Sequence, residues 1–419
     1  MIKAKYFIIS LLFISSCSNF LTWHLDRGIH KDSSVDTTQV TQEASNEDEI
    51  SYESNLNIEL KWSTSVNAGI EGNSAYLQIK KVNNELYSVD TDGLLSAVDA
   101  STGNILWNVP TGQNISSGLS VINNNICVGS SDAKLLCYKI ESLSVNEYTP
   151  FISSISNAVS FSDYNADLSI DLITELASPI SSTNNLFLLK LDNDDLYLIE
   201  PNKNEVIWKS ESQNIPLRTK GSSMPSIVSN SVFIARDNGS IASYNVIDGT
   251  LQWFTILSSR AGRNDLESQR DAEMNIAFDD NKLFYGHFQG ELNALDIGTG
   301  DIIWSSPFSF INDILIDNNS IIGSTSNNFL ISLDQASGFL NWRNQFSDKI
   351  ITQPFIIGNT VMVFTTDGTL MAYRRDDGTK LYEKEFGFDL HPQTKFITNK
   401  DKIYFQTLDG DIVHLIITF

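Results

Sequence analysis

The sequence contains few of the residues that usually build catalytic and metal centres. Of its 419 residues, five are histidine and three are cysteine, and the histidines are scattered along the chain. No spacing of histidine and cysteine suits a zinc site, and neither a Gly-x-Ser-x-Gly motif nor a glycine-rich phosphate loop is present. We therefore predict that the chain has no catalytic residues, no metal ligands and no cofactor.

Positive charge is also scarce. Lysine and arginine total 28 against 51 aspartates and glutamates, which gives a formal net charge of −23. Proteins that bind nucleic acid usually carry a basic patch that pairs with phosphates. The acidic balance therefore argues against a nucleic-acid partner.

The N-terminal apolar run, residues 6–14, is too short to cross a membrane as a helix, which takes ~20 residues. Two lysines precede it, and Ser15 and Ser16 stand directly before Cys17. This is the layout of a secretory signal with a small-residue cleavage site. The motif Ile-Ser-Ser-Cys resembles a bacterial lipobox, which implies a signal peptide over residues 1–16 and acylation of Cys17. An ordinary signal peptide with an incidental cysteine is the alternative.

The residue after the predicted acylated cysteine is Ser18, where no aspartate stands. By resemblance to bacterial sorting rules, this favours the outer membrane, with the chain anchored by lipid on the periplasmic face. Several acyl chains hold a protein stably, whereas a single chain binds only marginally. Residues 17–55 are rich in serine, threonine, asparagine and acidic residues. We predict a flexible tether there and a folded domain over residues 56–419.

The two other cysteines, Cys127 and Cys137, stand ten residues apart. This spacing predicts that they lie on neighbouring strands of one hairpin. In an oxidising compartment they could form a disulfide, or each could be a buried free thiol. Of the two interpretations, free thiols are favoured.

The folded region is built from a repeated motif, which is the sequence signature of a repeat fold. The copies read DGLLSAVDASTGNILW (92–107), NDDLYLIEPNKNEVIW (193–208), NGSIASYNVIDGTLQW (238–253), QGELNALDIGTGDIIW (289–304), NNFLISLDQASGFLNW (327–342) and DGTLMAYRRDDGTKLY (367–382). The second residue of each copy is an anchor, and two degenerate copies add further anchors. The eight anchors are Gly93, Ala133, Asp194, Gly239, Gly290, Asn328, Gly368 and Gly410.

Within each copy the residue types predict strands joined by turns. Glycine accepts positive φ in a hairpin turn, and a second glycine ten residues after most anchors predicts another turn. The side chains of Asp99, Asp296 and Asp334 can cap this second turn. Fourteen residues after six of the anchors stands an aromatic residue whose ring can pack between adjacent sheets. These blade-packing residues are Trp107, Trp208, Trp253, Trp304, Trp342 and Tyr382.

Two further strand-like runs precede each anchor, so every unit holds about four short antiparallel strands. Repeated four-stranded units describe an all-β propeller, and WD40 repeats are set aside because no tryptophan here is followed by aspartate. Trp62 has no anchor before it, and Gly410 has no aromatic strand after it. We therefore predict that the N-terminal strand, with blade-packing Trp62, completes the last of eight blades; seven blades is the alternative.

A glycine turn, a strand with alanine, an acidic residue, Thr-Gly and tryptophan resemble the quinoprotein-type (PQQ-like) repeat. The lipobox, the single ring and the length resemble the BamB family, the propeller lipoproteins of the outer-membrane β-barrel assembly (BAM) complex. The resemblance implies a non-enzymatic scaffold that binds the POTRA domains of the central barrel subunit and assists insertion of β-barrel proteins. Nascent outer-membrane protein strands are a second candidate partner.

Two other classes of function stay open as alternatives. Quinone-dependent dehydrogenases share the repeat, but they are much longer and have vicinal cysteines, which this chain lacks. The alternatives are a quinone-dependent or sugar-binding enzyme on the same propeller, or a ligand-binding surface lipoprotein.

The first implied partner-binding segment is NIPLRTKGSSMPSIV at 214–228. It resembles the family's Leu-x-Leu-Arg-Gly segment, and the correspondence points to Ile215, Leu217 and Arg218. An arginine beside an apolar anchor is a common interface hot spot. The sequence departs from the family at Ile215, and at Thr219 where glycine is usual. The alternative is that Arg218 is a solvated residue at a blade edge.

The second implied segment is SSRAGRNDLESQRDAEMN at 258–275. It resembles the family's long charged loop, whose Asp-x-Asp pair reads Asp271 and Glu273 here. Long loops in compact folds often carry function, although a merely mobile loop is the alternative. A further insertion, between residues 140 and 176, carries no prediction.

Overall fold

Short antiparallel strands make up almost all of the regular structure. The computed structural model describes residues 56–69, 78–145, 164–183, 185–212, 223–257, 274–287, 290–346 and 349–418. Over these ranges the strands form eight sheets of four strands each. The predicted all-β class and the count of eight blades are therefore confirmed. The predicted signal peptide, Cys17 and the predicted tether lie outside the described residues.

Each blade is one sheet, numbered in chain order. Blade 1 contains β2 (Lys80–Val82), β3 (Glu85–Val89), β4 (Leu94–Asp99) and β5 (Ile105–Pro110). Blade 2 contains β6 (Ser120–Ile122), β7 (Asn125–Ser130), β8 (Lys134–Lys139) and β9 (Leu168–Asp171). Blade 3 contains β10 (Ser181–Thr183), β11 (Leu186–Lys190), β12 (Leu196–Glu200) and β13 (Glu205–Ser210). Blade 4 contains β14 (Ser226–Val228), β15 (Ser231–Ala235), β16 (Ser240–Asn245) and β17 (Leu251–Ile256).

The second half of the ring repeats this plan. Blade 5 contains β18 (Ala277–Asp279), β19 (Lys282–Gly286), β20 (Leu292–Asp296) and β21 (Ile302–Ser306). Blade 6 contains β22 (Leu315–Asp317), β23 (Ser320–Ser324), β24 (Phe329–Asp334) and β25 (Leu340–Gln345). Blade 7 contains β26 (Phe355–Ile357), β27 (Thr360–Phe364), β28 (Thr369–Arg374) and β29 (Lys380–Glu385). Blade 8 contains β30 (Ile397–Asn399), β31 (Lys402–Gln406), β32 (Asp411–Thr418) and β1 (Asn57–Ser65).

Within the part of the chain that the structure describes, two short helices interrupt the strands. One is the α-helix α1 (Ile140–Val145) in blade 2, and the other is a 3-10 helix (Pro201–Lys203) in blade 3. No helix within the described ranges is both long enough and apolar enough to cross a membrane.

Within each blade, the first strand lies nearest the centre of the ring and the fourth strand lies at its rim. The strands lie side by side in order, with β1 in the fourth place of blade 8. First strands of neighbouring blades contact each other, as β2 does with β6 and β10 with β14. Apolar side chains of facing sheets form the core, and one cluster joins Ile241, Phe284 and Ile331 from blades 4, 5 and 6.

The N-terminal strand closes the ring as predicted. β1 pairs with β32 from Asn57 opposite Thr418 to Ser65 opposite Asp411, with a register shift just before Trp62. The two ends of the described chain therefore complete one sheet, and the last blade has its fourth strand.

The tryptophan of one blade packs on the second glycine turn of the next blade. A methyl group placed on these glycines would lie 2.4–2.7 Å from a tryptophan ring atom, so only glycine permits the contact. Each of these glycines also has positive φ, which favours glycine again. The pairs are Trp62 with Gly103, Trp208 with Gly249, Trp253 with Gly300, Trp304 with Gly338, and Trp342 with Gly378.

The indole nitrogen makes the same contact directional. In four pairs Nε1 donates to the main-chain carbonyl three residues before the glycine, at 2.8–3.2 Å. The residue two places after the tryptophan often adds a bond to the glycine carbonyl, a signal that the sequence prediction missed. Its donors are Thr64, Thr255, Ser306 and Asn344.

The predicted aspartate caps are confirmed. Oδ1 of Asp99 accepts from the main-chain N–H of Thr102 at 2.7 Å, and Asp296 and Asp334 repeat the arrangement. The N–H and hydroxyl of Thr102 hold the pKa of Asp99 below its usual value, since both donate to the charged carboxylate.

Blade 2 departs from the repeat because it has neither the glycine turn nor the tryptophan. In its place Ile140 and Leu143 of α1, together with Tyr164, pack in the cluster that buries Trp107. The main-chain N–H of Tyr164 donates to the carbonyl of Pro110 at 2.9 Å. The two ends of the insertion thus cover the tryptophan of blade 1.

The favoured interpretation of Cys127 and Cys137 was wrong. They lie opposite each other on β7 and β8, as the hairpin prediction required, and they form a disulfide. Their Cα atoms are 4.1 Å apart, and two thiols held side by side in one sheet are placed to bond.

We predict that Trp342→Ala lowers the free energy of unfolding by ~3–5 kcal/mol. The ring is 8% exposed and its Nε1 donates to the carbonyl of Arg375 at 2.8 Å, so the variant loses packing and a hydrogen bond between blades 6 and 7. Urea denaturation measures the effect. Phe339→Ala is the control, because Phe339 is 76% exposed and should change stability by under ~0.5 kcal/mol. Equal effects of the two variants would contradict the role of the tryptophan.

We also predict that protonation of His414 at acid pH destabilises blade 8, where β1 pairs with β32 and closes the ring. This residue on β32 is buried, stacks on Tyr404 at 4.4 Å and meets the edge of Trp62. Neither ring nitrogen has a hydrogen-bond partner among the described residues. Burial, and to a lesser extent Lys402, lowers the pKa of His414 from 6.5 to about 4.

Between pH 6.5 and 4, His414 is therefore protonated to a greater extent in the unfolded chain than in the folded chain. The stability contributed by neutral His414 is complete above pH 6.5 and is lost as the pH falls toward 4. We expect His414 to account for a loss of about 3 kcal/mol across this window, measured by urea denaturation at each pH. His414→Phe should remove that part of the loss, and an unchanged pH profile in the variant would refute the assignment.

Candidate functional site

The two predicted partner-binding segments fall outside the described residues. Ile215, Leu217 and Arg218 belong to residues 213–222, and Asp271 and Glu273 belong to residues 258–273. The structure describes the residues at which each segment leaves and rejoins the propeller, and these define the candidate site.

Both segments leave from the same face of the ring. Residues 213–222 connect β13 to β14, and residues 258–273 connect β17 to β18. Each is a link from the fourth strand of one blade to the first strand of the next. Because strand direction alternates within every blade, all such links begin and end on one face, and the two segments join the chain on either side of blade 4.

The C-terminal ends of the two segments are joined directly. The main-chain N–H of Met224 donates to Oδ1 of Asn275 at 2.7 Å. Asn275 in turn donates to both carboxylate oxygens of Asp313, at 2.7 Å from its main chain and 2.9 Å from its side chain. Asp313 also pairs with Lys395 at 2.8 Å. Blades 4, 5, 6 and 8 are thereby linked through one polar chain near the centre.

The N-terminal end of the first segment rests on a buried charge cluster between blades 3 and 4. The cluster consists of Lys190, Asp194, Arg236 and Asp237, all at most 5% exposed. Nζ of Lys190 lies 3.5 Å from Asp194 and 3.6 Å from Asp237. The guanidinium of Arg236 lies 3.6 Å from the Asp194 carboxylate and donates to the Asp194 carbonyl at 2.9 Å.

This cluster holds the chain where the first segment begins. Ser212, the last described residue before it, donates from its hydroxyl to Asp194 at 3.4 Å and from its main chain to Asp195 at 2.7 Å. The two positive and two negative charges balance, so the removal of one of them would leave an unpaired buried charge. The cluster therefore acts as a support for the segment.

Sequence reasoning missed this cluster although a signal was present. Asp194 occupies an anchor where most copies have glycine, and it adopts φ of 66°. Arg236 stands where other blades have Asp90, Thr325 or Thr365, and Lys190 ends β11 where they have Val89, Ser324 or Phe364. An acidic residue at the anchor of one repeat and a basic residue at the strand end of the next indicate a cross-blade contact.

The rim near the site carries exposed apolar side chains on fourth strands. A fourth strand has only one neighbour in its sheet, so its outer backbone groups are open to pairing. The exposed residues in blades 3 to 5 are Val206, Ile207, Leu251, Phe254, Ile256, Ile302 and Ile303. Within the described ranges no group of three or more His, Cys, Asp or Glu side chains could hold a metal ion.

Comparison with known proteins gives consistent matches. A family model described as outer membrane protein assembly factor BamB matches residues 91–339 and 324–417. The curated protein of that name from Yersinia pestis is 22% identical over 366 residues, which cover 84% of this chain and 87% of the relative. The Escherichia coli (strain K12) protein of the same name is 21% identical over 365 residues, with coverages of 84% and 87%.

Solved structures share the fold. BamB from Moraxella catarrhalis superposes with a TM-score of 0.71 at 15% identity, covering 86% of this chain and 99% of that chain. A europium-containing methanol dehydrogenase superposes with a TM-score of 0.65 at 11% identity, with coverages of 86% and 93%. At these identities the likeness concerns the propeller alone.

We predict that Asp194→Ala destabilises the protein by ~3–5 kcal/mol, because it leaves buried Lys190 and Arg236 with one carboxylate between them. Adding Lys190→Met should recover part of the loss, since the remaining Arg236 and Asp237 then balance. Asp192→Ala, at a partly exposed neighbour, is the control. Denaturation curves of the variants decide the matter, and a double variant less stable than Asp194→Ala would show that the cluster is not electrostatically coupled.

Proposed function

The chain belongs to the outer membrane protein assembly factor BamB family, and we propose that it is a non-enzymatic scaffold of the outer-membrane protein assembly machinery. In this proposal it binds the POTRA domains of the central barrel subunit of the BAM complex and assists insertion of β-barrel proteins. The observation that carries the proposal is the family match over residues 91–417.

The geometry of the stems, which are the described residues where the two segments join the propeller, supports a contact on one face of blade 4. The two candidate partner-binding segments rejoin the propeller at residues joined by the Met224–Asn275 hydrogen bond. Their starting points are held by buried or main-chain contacts at Ser212 and Leu257. Segments held at both ends lose less conformational freedom on binding. Ile215, Leu217 and Arg218 would supply the apolar and cationic anchors, and Asp271 and Glu273 would supply acidic contacts.

The location follows from the N-terminal sequence. We propose that the signal peptide over residues 1–16 is removed, that Cys17 is acylated, and that residues 17–55 tether the propeller to the periplasmic face of the outer membrane. The disulfide between Cys127 and Cys137 supports an oxidising compartment such as the periplasm.

Nascent outer-membrane protein strands are the second partner in the proposal. An extended segment can add to an open strand edge through main-chain hydrogen bonds. The fourth strand of blade 4, β17, offers such an edge beside exposed Phe254 and Ile256.

A photoreactive residue at Leu217 should crosslink to the central barrel subunit in living cells. Phe339 is the control position, because it is exposed and lies on the turn between β24 and β25, on the opposite face.

Arg218→Glu should weaken binding of the barrel subunit by about 30-fold, or ~2 kcal/mol. The stability of the variant should stay within ~0.5 kcal/mol of the wild type.

Arg343→Glu serves as the matched charge reversal, since Arg343 is exposed on β25 of blade 6 and should leave binding unchanged. Equal crosslinking from Leu217 and Phe339, or unfolding of Arg218→Glu, would remove the first segment from the interface.

A further inference from the structure

A small polar cavity lies at the centre of the ring, where Met224 and Asn275 at the ends of the two candidate partner-binding segments form part of its wall. It has a volume of ≈ 60 Å³ and is lined by residues from seven of the eight blades. The residues that matter for its chemistry are Lys80 of blade 1, Asn312 and Asp313 of blade 6, and Lys395 of blade 8. Amides of Gln78 and Gln353 complete the polar wall.

The cavity carries more positive than negative charge. Asp313 is committed to Lys395 and to Asn275. The ammonium group of Lys80 makes no ion pair and no hydrogen bond with another described residue, although the charge of Asp313 acts on it. Burial, and then the nearby charge of Lys395, lowers the pKa of Lys80. A partly buried cation without a close carboxylate partner is an unusual feature in a chain of net charge −23, because charges withdrawn from water are normally paired.

The amide of Asn312 gives a second, independent indication of a ligand. Its side chain is 4% exposed, and neither Oδ1 nor Nδ2 has a hydrogen-bond partner among the described residues. A buried amide without partners is unfavourable, and in native structures such a group often marks the place of a bound water or ion. Asn312 lines the same cavity as Lys80.

We propose that this cavity binds a small oxyanion, a carboxylate or phosphate group, held by the ammonium groups of Lys80 and Lys395 and by the amide N–H of Asn312. A site for one water needs about 10–15 Å³ on this scale, so the cavity has room for about four waters or one such group. It is much smaller than the ~300–1,000 Å³ pockets that enclose drug-sized ligands.

The proposed anion would bridge the ring near its closure. Lys80 begins the first strand of blade 1, and Lys395 precedes the first strand of blade 8, so the anion would join blade 1 to the blade in which the ring closes. Through Asp313 and Asn275 the site also contacts the stems of the candidate partner-binding segments. Binding should therefore stabilise the folded ring by an amount that grows with the logarithm of the anion concentration once that concentration exceeds the Kd.

The test uses the intact purified lipoprotein in detergent, titrated separately with inorganic phosphate and with malonate in the calorimeter. Sodium chloride at matched ionic strength is the reference. We expect one binding site for at least one of the two anions, and a melting temperature that rises with its concentration. The two titrations distinguish a phosphate from a carboxylate preference.

Two variants locate the site. Lys80→Gln should weaken binding by at least 10-fold and should not lower the melting temperature in anion-free buffer, because it removes an uncompensated cation. Asn312→Leu should weaken binding about 5-fold or more. Lys61→Gln, at an exposed lysine on β1, is the control and should bind as the wild type does. No binding of either anion at 20 mM (about the weakest affinity worth assigning to a site), or equal binding by Lys80→Gln and wild type, would overturn the proposal.

Discussion

The contact between a tryptophan and the glycine turn of the next blade is the interaction on which the ring depends. It points one way, from the rim strand of one blade to the turn of its successor, because the indole ring and its N–H both meet the same turn. An open array of such units would leave one tryptophan uncovered and one turn unfilled. Closure resolves both ends, since Trp62 from the N-terminal strand packs on Gly103 of blade 1.

This dependence explains why so much of the fold could be predicted from the sequence. Each contact leaves its mark on residue types at fixed spacing within one copy: a glycine, an aspartate that caps the turn, and a tryptophan. The small residue four places after most anchors belongs to the same set. Ala97 lies directly opposite Trp107, and Ser332 opposite Trp342, so these positions make room beside the ring. Blade count and closure then follow from counting copies.

Features that depend on contacts between two strands or between two copies of the repeat could not be predicted in the same way. The pairing of Cys127 with Cys137 depends on the register of two strands, and a spacing of ten residues fits either outcome. The charge cluster of Lys190, Asp194 and Arg236 joins residues of two copies, and within each copy they look like irregularities. The partner-binding residues came from family resemblance alone, because their segments lie outside the repeated pattern.

The propeller itself does not decide the function. An assembly factor and a methanol dehydrogenase share it at comparable TM-scores, because the tryptophan contacts fix the ring and leave the links between blades free to vary. What distinguishes this chain must therefore lie in those links and in the residues that hold them. Here the links on either side of blade 4 are long, and the chain fixes their ends with a buried, balanced charge cluster and a shared hydrogen bond between Met224 and Asn275. These supports suit a surface that must keep its shape while it binds another protein.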